Sequence, residues 1–185
     1  MYNLILSHIS FFLPPDSNPQ EKFQKYSNEI EFYNGWKNDA LSADNLRRRH
    51  NICLVFDDVL DSEGADYDFI KSIFLKESHH RSWTCLFSIH NLFDRSIPHL
   101  RTLLLNTQLF YLTNSPRSLS ALRSFIQQCF PGKCKKVLAL YSDLMKSSQF
   151  AYLICDLSPQ CNNQLRLRSN IFFSESPTVV YSIDL

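Results

Sequence analysis

The chain has 185 residues, of which 44% are hydrophobic, and this is enough apolar material for a domain with a buried core. Nineteen Lys and Arg residues nearly balance eighteen Asp and Glu residues, so the net charge of +1 lacks the basic excess typical of a dedicated nucleic-acid-binding protein. No run approaches the roughly 20 apolar residues that a membrane span requires, which predicts a chain with no membrane partner.

The six cysteines indicate a reduced, intracellular protein of the cytoplasm or nucleus. Three of them lie inside apolar runs, where a free cysteine packs as a small hydrophobic residue. No Cys-x-x-Cys pair occurs, and Cys129 and Cys134, with the distant His79 and His80, do not match the spacing of a zinc site. The adjacent histidines are more typical of a hydrogen-bonded turn than of metal ligands.

Short runs rich in aromatic and β-branched residues predict five strands, at Leu4–Leu13, Ile52–Phe56, Thr84–Ile89, Gln108–Leu112 and Ala151–Leu157. Helices are predicted at about residues 17–30, 66–76, 98–105, 117–130 and 135–147. The fourth helix has the clearest pattern, because its apolar residues recur at spacings of three and four and Pro131-Gly132 is a stop signal. Strands that alternate with helices predict an α/β fold with a parallel sheet covered on both faces.

Two segments leave alternatives open. The polar stretch Tyr33–His50 contains the basic run Arg47–His50, which is either a solvated helix end or a patch for phosphate or nucleic acid. The β-like run Thr178–Ile183 near the end of the chain either joins the sheet or lies outside it.

The strongest chemical pattern follows the second predicted strand, where five apolar residues run directly into Asp57 and Asp58. In a nucleotide-hydrolysing α/β core, such a strand holds its carboxylates at the edge of the sheet where ligands bind. The first acid holds the Mg²⁺ that bridges the β- and γ-phosphates, and the second orients the attacking water. A buried strand followed by an Asp-rich turn has the same pattern, so both interpretations remain.

The other half of a nucleotide site is a glycine-rich loop, GxxxxGK[ST], whose backbone N–H groups hold the phosphates. The chain contains only Gly35, Gly64 and Gly132, which are too far apart to form such a loop. Gly132-Lys133 is followed by Cys134 instead of Ser or Thr. These 185 residues therefore contain no P-loop.

Further motifs occur in order along the chain, at Ser78–Arg81 (SHHR), Leu86–Phe93 (LFSIHNLF), Arg101–Asn106 (RTLLLN), Asn114–Arg117 (NSPR), Gln128–Pro131 (QCFP) and Leu165–Phe172 (LRLRSNIF). This series resembles the genome-packaging ATPases of the FtsK–HerA superfamily, in particular those of Polinton/Maverick- and adintovirus-like elements, which are related to the poxvirus packaging ATPase. The resemblance covers roughly residues 50–173. It implies that residues 1–185 form a single truncated domain. That domain would be the Walker B and sensor half of a P-loop NTPase-like sheet of the RecA/FtsK type, without the P-loop strand and helix.

The resemblance also implies roles for particular residues. Asp57 and Asp58 match the Walker B pair, with Asp57 as the Mg²⁺ ligand when nucleotide is bound. His90, followed by Asn91, stands where the family has a polar sensor near the γ-phosphate, usually Gln. His90 departs from the family's pattern, because an imidazole differs from a carboxamide in reach and in donor pattern.

Arginines complete the implied site. Arg101 matches an arginine that we expect to act as an arginine finger toward a neighbouring subunit. Arg117 lies at the turn after the next strand, where it contacts phosphate or caps the turn. Arg166 and Arg168 alternate with leucines, as on a strand with one solvated face, or they are structural ion-pair partners.

In the complete family, hydrolysis of Mg-ATP in a homo-oligomeric ring drives double-stranded DNA into a capsid, so the resemblance implies DNA, ring partners and an association with virions. Because the P-loop is missing, we expect little or no ATPase activity from these residues alone, no bound cofactor and no small-molecule substrate other than nucleotide. Three hypotheses remain: a fragment of a packaging ATPase from an integrated virus-like element, a degenerate interaction or DNA-binding module that assembles with full-length subunits, and an unrelated α/β domain such as a small hydrolase. Against the last, no Gly-x-Ser-x-Gly elbow occurs.

Overall fold

The computed structural model describes residues 8–13, 30–34, 51–58, 66–172, 174–175 and 177–182. The chain divides into two compact units, Met1–Asn106 and Thr107–Leu185. Each unit contains one four-stranded sheet. The sheet of the first unit is parallel, and that of the second is antiparallel.

The parallel sheet has the strand order β2–β1–β3–β4, with β1 at His8–Leu13, β2 at Ile30–Asn34, β3 at Ile52–Asp57 and β4 at Thr84–Ser88. β3 lies between β1 and β4, and its side chains from Ile52 to Phe56 are buried or half-buried. A strand that is paired on both sides and packed inside a core needs such a continuous apolar run.

Helical segments pack against this sheet: α1 at Tyr67–Ser72, a π-helical turn at Ile73–Glu77, α2 at Ser78–Arg81 and α3 at Leu100–Asn106. Asp66 caps α1, because its carboxylate accepts a hydrogen bond from the Phe69 N–H at 2.9 Å. Phe74 of the π-helical turn contacts Phe87 of β4 at a ring-centroid distance of 4.1 Å, and Phe87 stacks on Phe56 of β3 at 4.7 Å. These aromatic contacts fix the helices against the two strands that lead into the site described below.

The antiparallel sheet has the order β5–β6–β7–β8, with β5 at Leu109–Thr113, β6 at Tyr152–Asp156, β7 at Leu167–Ser169 and β8 at Val179–Val180. Between β5 and β6 lie a 3₁₀ turn at Pro116–Ser118 and two helices, α4 at Leu119–Cys129 and α5 at Cys134–Ser147. Phe125 of α4 packs on Phe110 at 4.6 Å, and the Tyr141 hydroxyl of α5 donates to the Thr113 carbonyl at 2.8 Å. Both helices therefore pack against β5.

β5 lies at the edge of the antiparallel sheet. Within the described residues it pairs only with β6. Phe110 and Leu112 are buried, whereas Leu109 and Tyr111 between them are 44% and 43% exposed. This alternation is typical of a strand with one face in the core and one face toward solvent.

The predicted elements are largely confirmed. The mixed α/β class, the parallel pairing of β1, β3 and β4, and helices near four of the five predicted positions are all present. The last apolar run contributes β8 to a sheet. The predicted helix at 17–30, the start of the strand at Leu4–Leu13 and most of Tyr33–His50 lie outside the described residues. No helix in the described ranges is long and apolar enough to cross a membrane.

Two features differ from the prediction. A parallel sheet is wrong for the strands of the second unit, because β5 and β6 are antiparallel. Two consecutive helices connect these strands, and a helix pair brings the chain back in the opposite direction, whereas a single crossover helix returns it parallel. In addition, Ile30–Asn34 forms β2, at the boundary between a predicted helix and a predicted polar segment.

Candidate functional site

Two carboxylates lie at the carboxyl end of the buried strand β3. Asp57 is the last residue of β3 and lies opposite Ser88, the last residue of β4. Phe56 is fully buried, whereas Asp57 and Asp58 are exposed. The carboxyl edge of an open α/β sheet is where such folds bind ligands, so the rigid strand presents both acids at the expected edge.

His90 joins this pair from the neighbouring strand. Its Nε2 lies 2.9 Å from Oδ2 of Asp58, although the two residues are 32 positions apart in the chain. Asp58 has a φ of 50°, a left-handed conformation that Asp adopts more readily than most residues. The turn after β3 and the end of β4 thus bring an imidazole N–H into hydrogen-bonding distance of a carboxylate.

Asn91, the other predicted sensor residue, is engaged in its own loop. Its Oδ1 accepts a hydrogen bond from the Phe93 N–H at 3.0 Å. Three residues later, Asp94 accepts from the Ser96 hydroxyl at 2.6 Å and from the Ser96 N–H at 2.8 Å, and the hydroxyl, followed by the N–H, lowers the pKa of Asp94. These side chains shape the loop between β4 and α3.

Of the predicted arginines, Arg101 lies in the first unit, and Arg117, Arg166 and Arg168 lie in the second. Arg101 is exposed on α3, and Arg117 is exposed in the 3₁₀ turn of the second unit. Arg166 donates from Nη1 to the Asp156 carbonyl at 2.9 Å, and Arg168 forms an ion pair with the Asp156 carboxylate at 2.5 Å. The structural interpretation of the last two arginines is therefore the one that the contacts support.

A second imidazole–carboxylate pair in the first unit was not predicted. Nε2 of His99 lies 3.2 Å from Oδ1 of Asp68, and His99 has a φ of 61°. The two residues are 31 positions apart, so no local spacing in the sequence signals the contact. The pair connects the start of α1 to the residue that precedes α3.

The paired acids fit part of a magnesium site. Mg²⁺ prefers oxygen ligands and is usually held by one or two carboxylates together with substrate phosphates and water. Asp57 and Asp58 supply that type of donor. In the part of the chain that the structure describes, however, no group of three or more His, Cys, Asp or Glu side chains is placed to hold a metal ion.

No protein-family model, curated protein or solved structure matches the chain.

Proposed function

We propose that the first unit is the Walker B and sensor half of an ATPase core similar to the FtsK–HerA packaging ATPases. The observation that carries the proposal is the convergence of Asp57, Asp58 and His90 at the carboxyl edge of a parallel sheet. Two adjacent strands supply these groups, and strand ends at this edge are where open α/β folds bind nucleotides.

Each side chain has a role in this proposal. The nucleotide-bound Mg²⁺ would supply the positive charge that offsets the β- and γ-phosphates. Asp57 would hold the ion, because the end of a buried strand fixes its position. Asp58 would orient a water molecule, and His90 would hold the Asp58 carboxylate through the 2.9 Å contact.

These residues do not hydrolyse ATP without a phosphate-binding loop from another segment. The chain contains no GxxxxGK[ST], and two carboxylates that lack compensating positive groups repel a triphosphate. Translocation of double-stranded DNA by a ring of subunits belongs to the complete family, and it extends to this chain only through assembly with such a loop.

A split-protein assay tests the proposal. The chain is mixed with a separately expressed fragment of a family ATPase that contains the P-loop strand, loop and helix, and phosphate release is measured with Mg-ATP. We expect no release from the chain alone, measurable release from the mixture, and a loss of at least about 100-fold with D57A. The matched control is D143A, which removes a carboxylate that is 77% exposed and distant in sequence.

Two results would count against the proposal. Equal phosphate release from the D57A mixture would remove the Walker B assignment. Micromolar binding of a fluorescent ATP analogue by the chain alone, lost in D57A, would show that the carboxylate site is complete without a P-loop.

The alternative function is a module that binds DNA or another subunit without hydrolysis. It requires neither Asp57 nor Asp58, so binding that persists in D57A distinguishes it from the ATPase proposal. Residues 107–185 contain eight Lys and Arg against four Asp and Glu, and this basic excess in the second unit favours the alternative.

A further inference from the structure

Two motifs of the sequence that the nucleotide site does not use meet at a cavity in the second unit. Cys129 and Phe130 belong to the motif Gln128–Pro131 at the end of α4, and Arg166 belongs to the motif Leu165–Phe172. The cavity has a volume of about 320 Å³, is open to solvent and is lined by Cys129, Phe130, Leu157, Asn163 and Arg166. This volume lies at the lower end of the range of about 300–1,000 Å³ that is typical of small-molecule pockets.

The Arg166 guanidinium is held in place by the segment between β6 and β7. Its Nη1 donates to the Asp156 carbonyl at 2.9 Å and to the Ser158 carbonyl at 3.4 Å, and its Nε donates to Oδ1 of Asn163 at 2.9 Å. An arginine that three acceptors already fix has little rotamer freedom left to lose, so a ligand that binds it avoids part of the usual entropic cost. These contacts therefore position Arg166 as well as stabilise the segment.

Donor groups remain available beside these contacts. Within the described part of the chain, Nη2 of Arg166 has no hydrogen-bond partner. A guanidinium only donates, so Asn163 must turn its amide oxygen toward Arg166, which leaves the Asn163 amide N–H groups without a partner among the described residues. No described carboxylate lies within 4.0 Å of Arg166, and the carboxylate of Asp156 pairs with Arg168 instead. The guanidinium charge is thus held without a counter-charge.

The rest of the lining is apolar. Phe130 is buried, and Leu157 and Cys129 are half-buried. Burial raises the pKa of the Cys129 thiol to about 11, so the thiol is uncharged at neutral pH and does not repel an anion. One positive group beside apolar side chains suits a ligand that has a single anionic group and an apolar body.

We propose that this cavity binds a small organic carboxylate with an aromatic or branched apolar body. The carboxylate accepts hydrogen bonds from Nη2 of Arg166 and from the Asn163 amide, and the apolar body lies against the other side chains of the lining. A charge-assisted hydrogen bond is stronger than one between neutral groups, so the site prefers an anion to a neutral molecule of the same shape. All five lining residues belong to the second unit, and the site is independent of the carboxylates at the end of β3.

Saturation-transfer NMR with phenylacetate and the whole chain measures the binding. Phenylacetamide is the matched ligand, because it keeps the ring and the shape but has no charge. We expect phenylacetate to bind with a Kd of about 1 mM and phenylacetamide to bind at least about 10-fold more weakly. Inorganic phosphate at the same concentration should not displace phenylacetate, because it has no apolar body.

Variants of the polar side chains test the anion contact. R166Q should weaken phenylacetate binding at least about 10-fold and remove the preference over phenylacetamide. R123Q is the matched control, because it removes an exposed arginine of the same unit that does not line the cavity. Since R166Q also removes hydrogen bonds to two carbonyls, circular dichroism checks its fold. N163A keeps the charge and should weaken binding about 3-fold, whereas Q164A in the same turn should have no effect.

Protection of a thiol gives a second readout that needs no variant. Cys129 lines the cavity, whereas Cys134 is also half-buried in the second unit but does not line it. Saturating phenylacetate should slow the reaction of Cys129 with iodoacetamide at about pH 8.5 at least about 3-fold, as measured by peptide mass spectrometry. The reaction of Cys134 should be unchanged.

Any of five results would overturn the proposal: no saturation transfer from phenylacetate, equal binding of phenylacetamide, full displacement by phosphate, equal weakening by R123Q and R166Q, or the same ratio of Cys129 to Cys134 labelling with and without phenylacetate. If R166Q does not fold, N163A and the thiol readout decide. D57A should bind phenylacetate as the unmodified chain does, whether or not the split-protein assay succeeds.

Discussion

Replacing Asp156 with Asn should destabilise the chain, because this carboxylate is the centre of a mostly buried network. Oδ2 of Asp156 lies 2.5 Å from Nη2 of Arg168, and Oδ1 accepts hydrogen bonds from the Ser158 hydroxyl at 2.6 Å and the Ser158 N–H at 3.1 Å. The side chains of the ion pair are only 11% and 27% exposed. D156N keeps the shape of the side chain but leaves the Arg168 charge without a counter-charge.

The size of the effect follows from burial. Removing one partner of a fully buried pair costs about 3–5 kcal/mol, and because Arg168 is about a quarter exposed we expect about 2–3 kcal/mol. For a chain of this length, each kcal/mol lowers the Tm by about 2–4 °C, so D156N should unfold about 5–10 °C earlier at neutral pH. D143N is the matched control, because its ion pair with Lys146 is exposed and should contribute less than about 1 kcal/mol.

The advantage of the unmodified chain over D156N should disappear in acid. Burial of Asp156 raises its pKa, but hydrogen bonds from Ser158 and Cys161 and the charge of Arg168 together hold that pKa below the ordinary value. A carboxylate with a depressed folded pKa contributes stability above its unfolded pKa, about 3.9, and loses it as the pH falls through the lower folded value. Thermal unfolding followed by circular dichroism at about pH 7 and about pH 2.5 measures this. A Tm difference that is absent at neutral pH, or equal at both pH values, would refute the reasoning.

Three further predictions concern packing, backbone and thiols. Y141F removes the hydroxyl that donates to the Thr113 carbonyl and should cost about 1–2 kcal/mol in urea unfolding, whereas an unchanged midpoint would mean that the hydrogen bond contributes nothing. G132A should cost about 1 kcal/mol through backbone strain alone, because Gly132 has a φ of 80° and no atom lies within 4 Å of a Cβ placed there; a stabilised variant would contradict this. Burial, with a smaller effect from the charge of Cys53, raises the pKa of the Cys85 thiol to about 12. Iodoacetamide at about pH 8 should therefore label Cys85 at least about 10-fold more slowly in the folded chain than in urea, as measured by peptide mass spectrometry.

Local patterns in the sequence predict the elements well but not how strands pair. Apolar periodicity and the Pro131-Gly132 stop place α4 within two residues of its observed bounds, and the Ile52–Phe56 run identifies β3. Periodicity does not encode the direction of a strand. The two helices predicted between β5 and β6 indicate that these strands are antiparallel, because a helix pair reverses the chain, whereas which strands pair follows only from three-dimensional packing.

For the candidate site as well, the residues are predictable from the sequence but their contacts are not. The resemblance to packaging ATPases implies that Asp57 and Asp58 follow one strand and His90 another, and the structure places the ends of these two strands side by side. The contact between His90 and Asp58, like that between His99 and Asp68, joins residues more than 30 positions apart and depends on turns with positive φ. No sequence spacing specifies such turns.

Among the described strands of the second unit, β5 has one unpaired edge, and this matters for the behaviour of the protein in solution. All five residues of the strand, Leu109–Thr113, are uncharged and none is Pro, so the strand has neither the charge nor the proline that many edge strands use against pairing with another sheet. The solvent-facing position of Leu109 is the natural place to install one. A lysine there would sit among water molecules, leave the buried side chains of β5 in place, and repel an approaching copy. A single charge on this strand should therefore reduce aggregation of the protein without any change to the core.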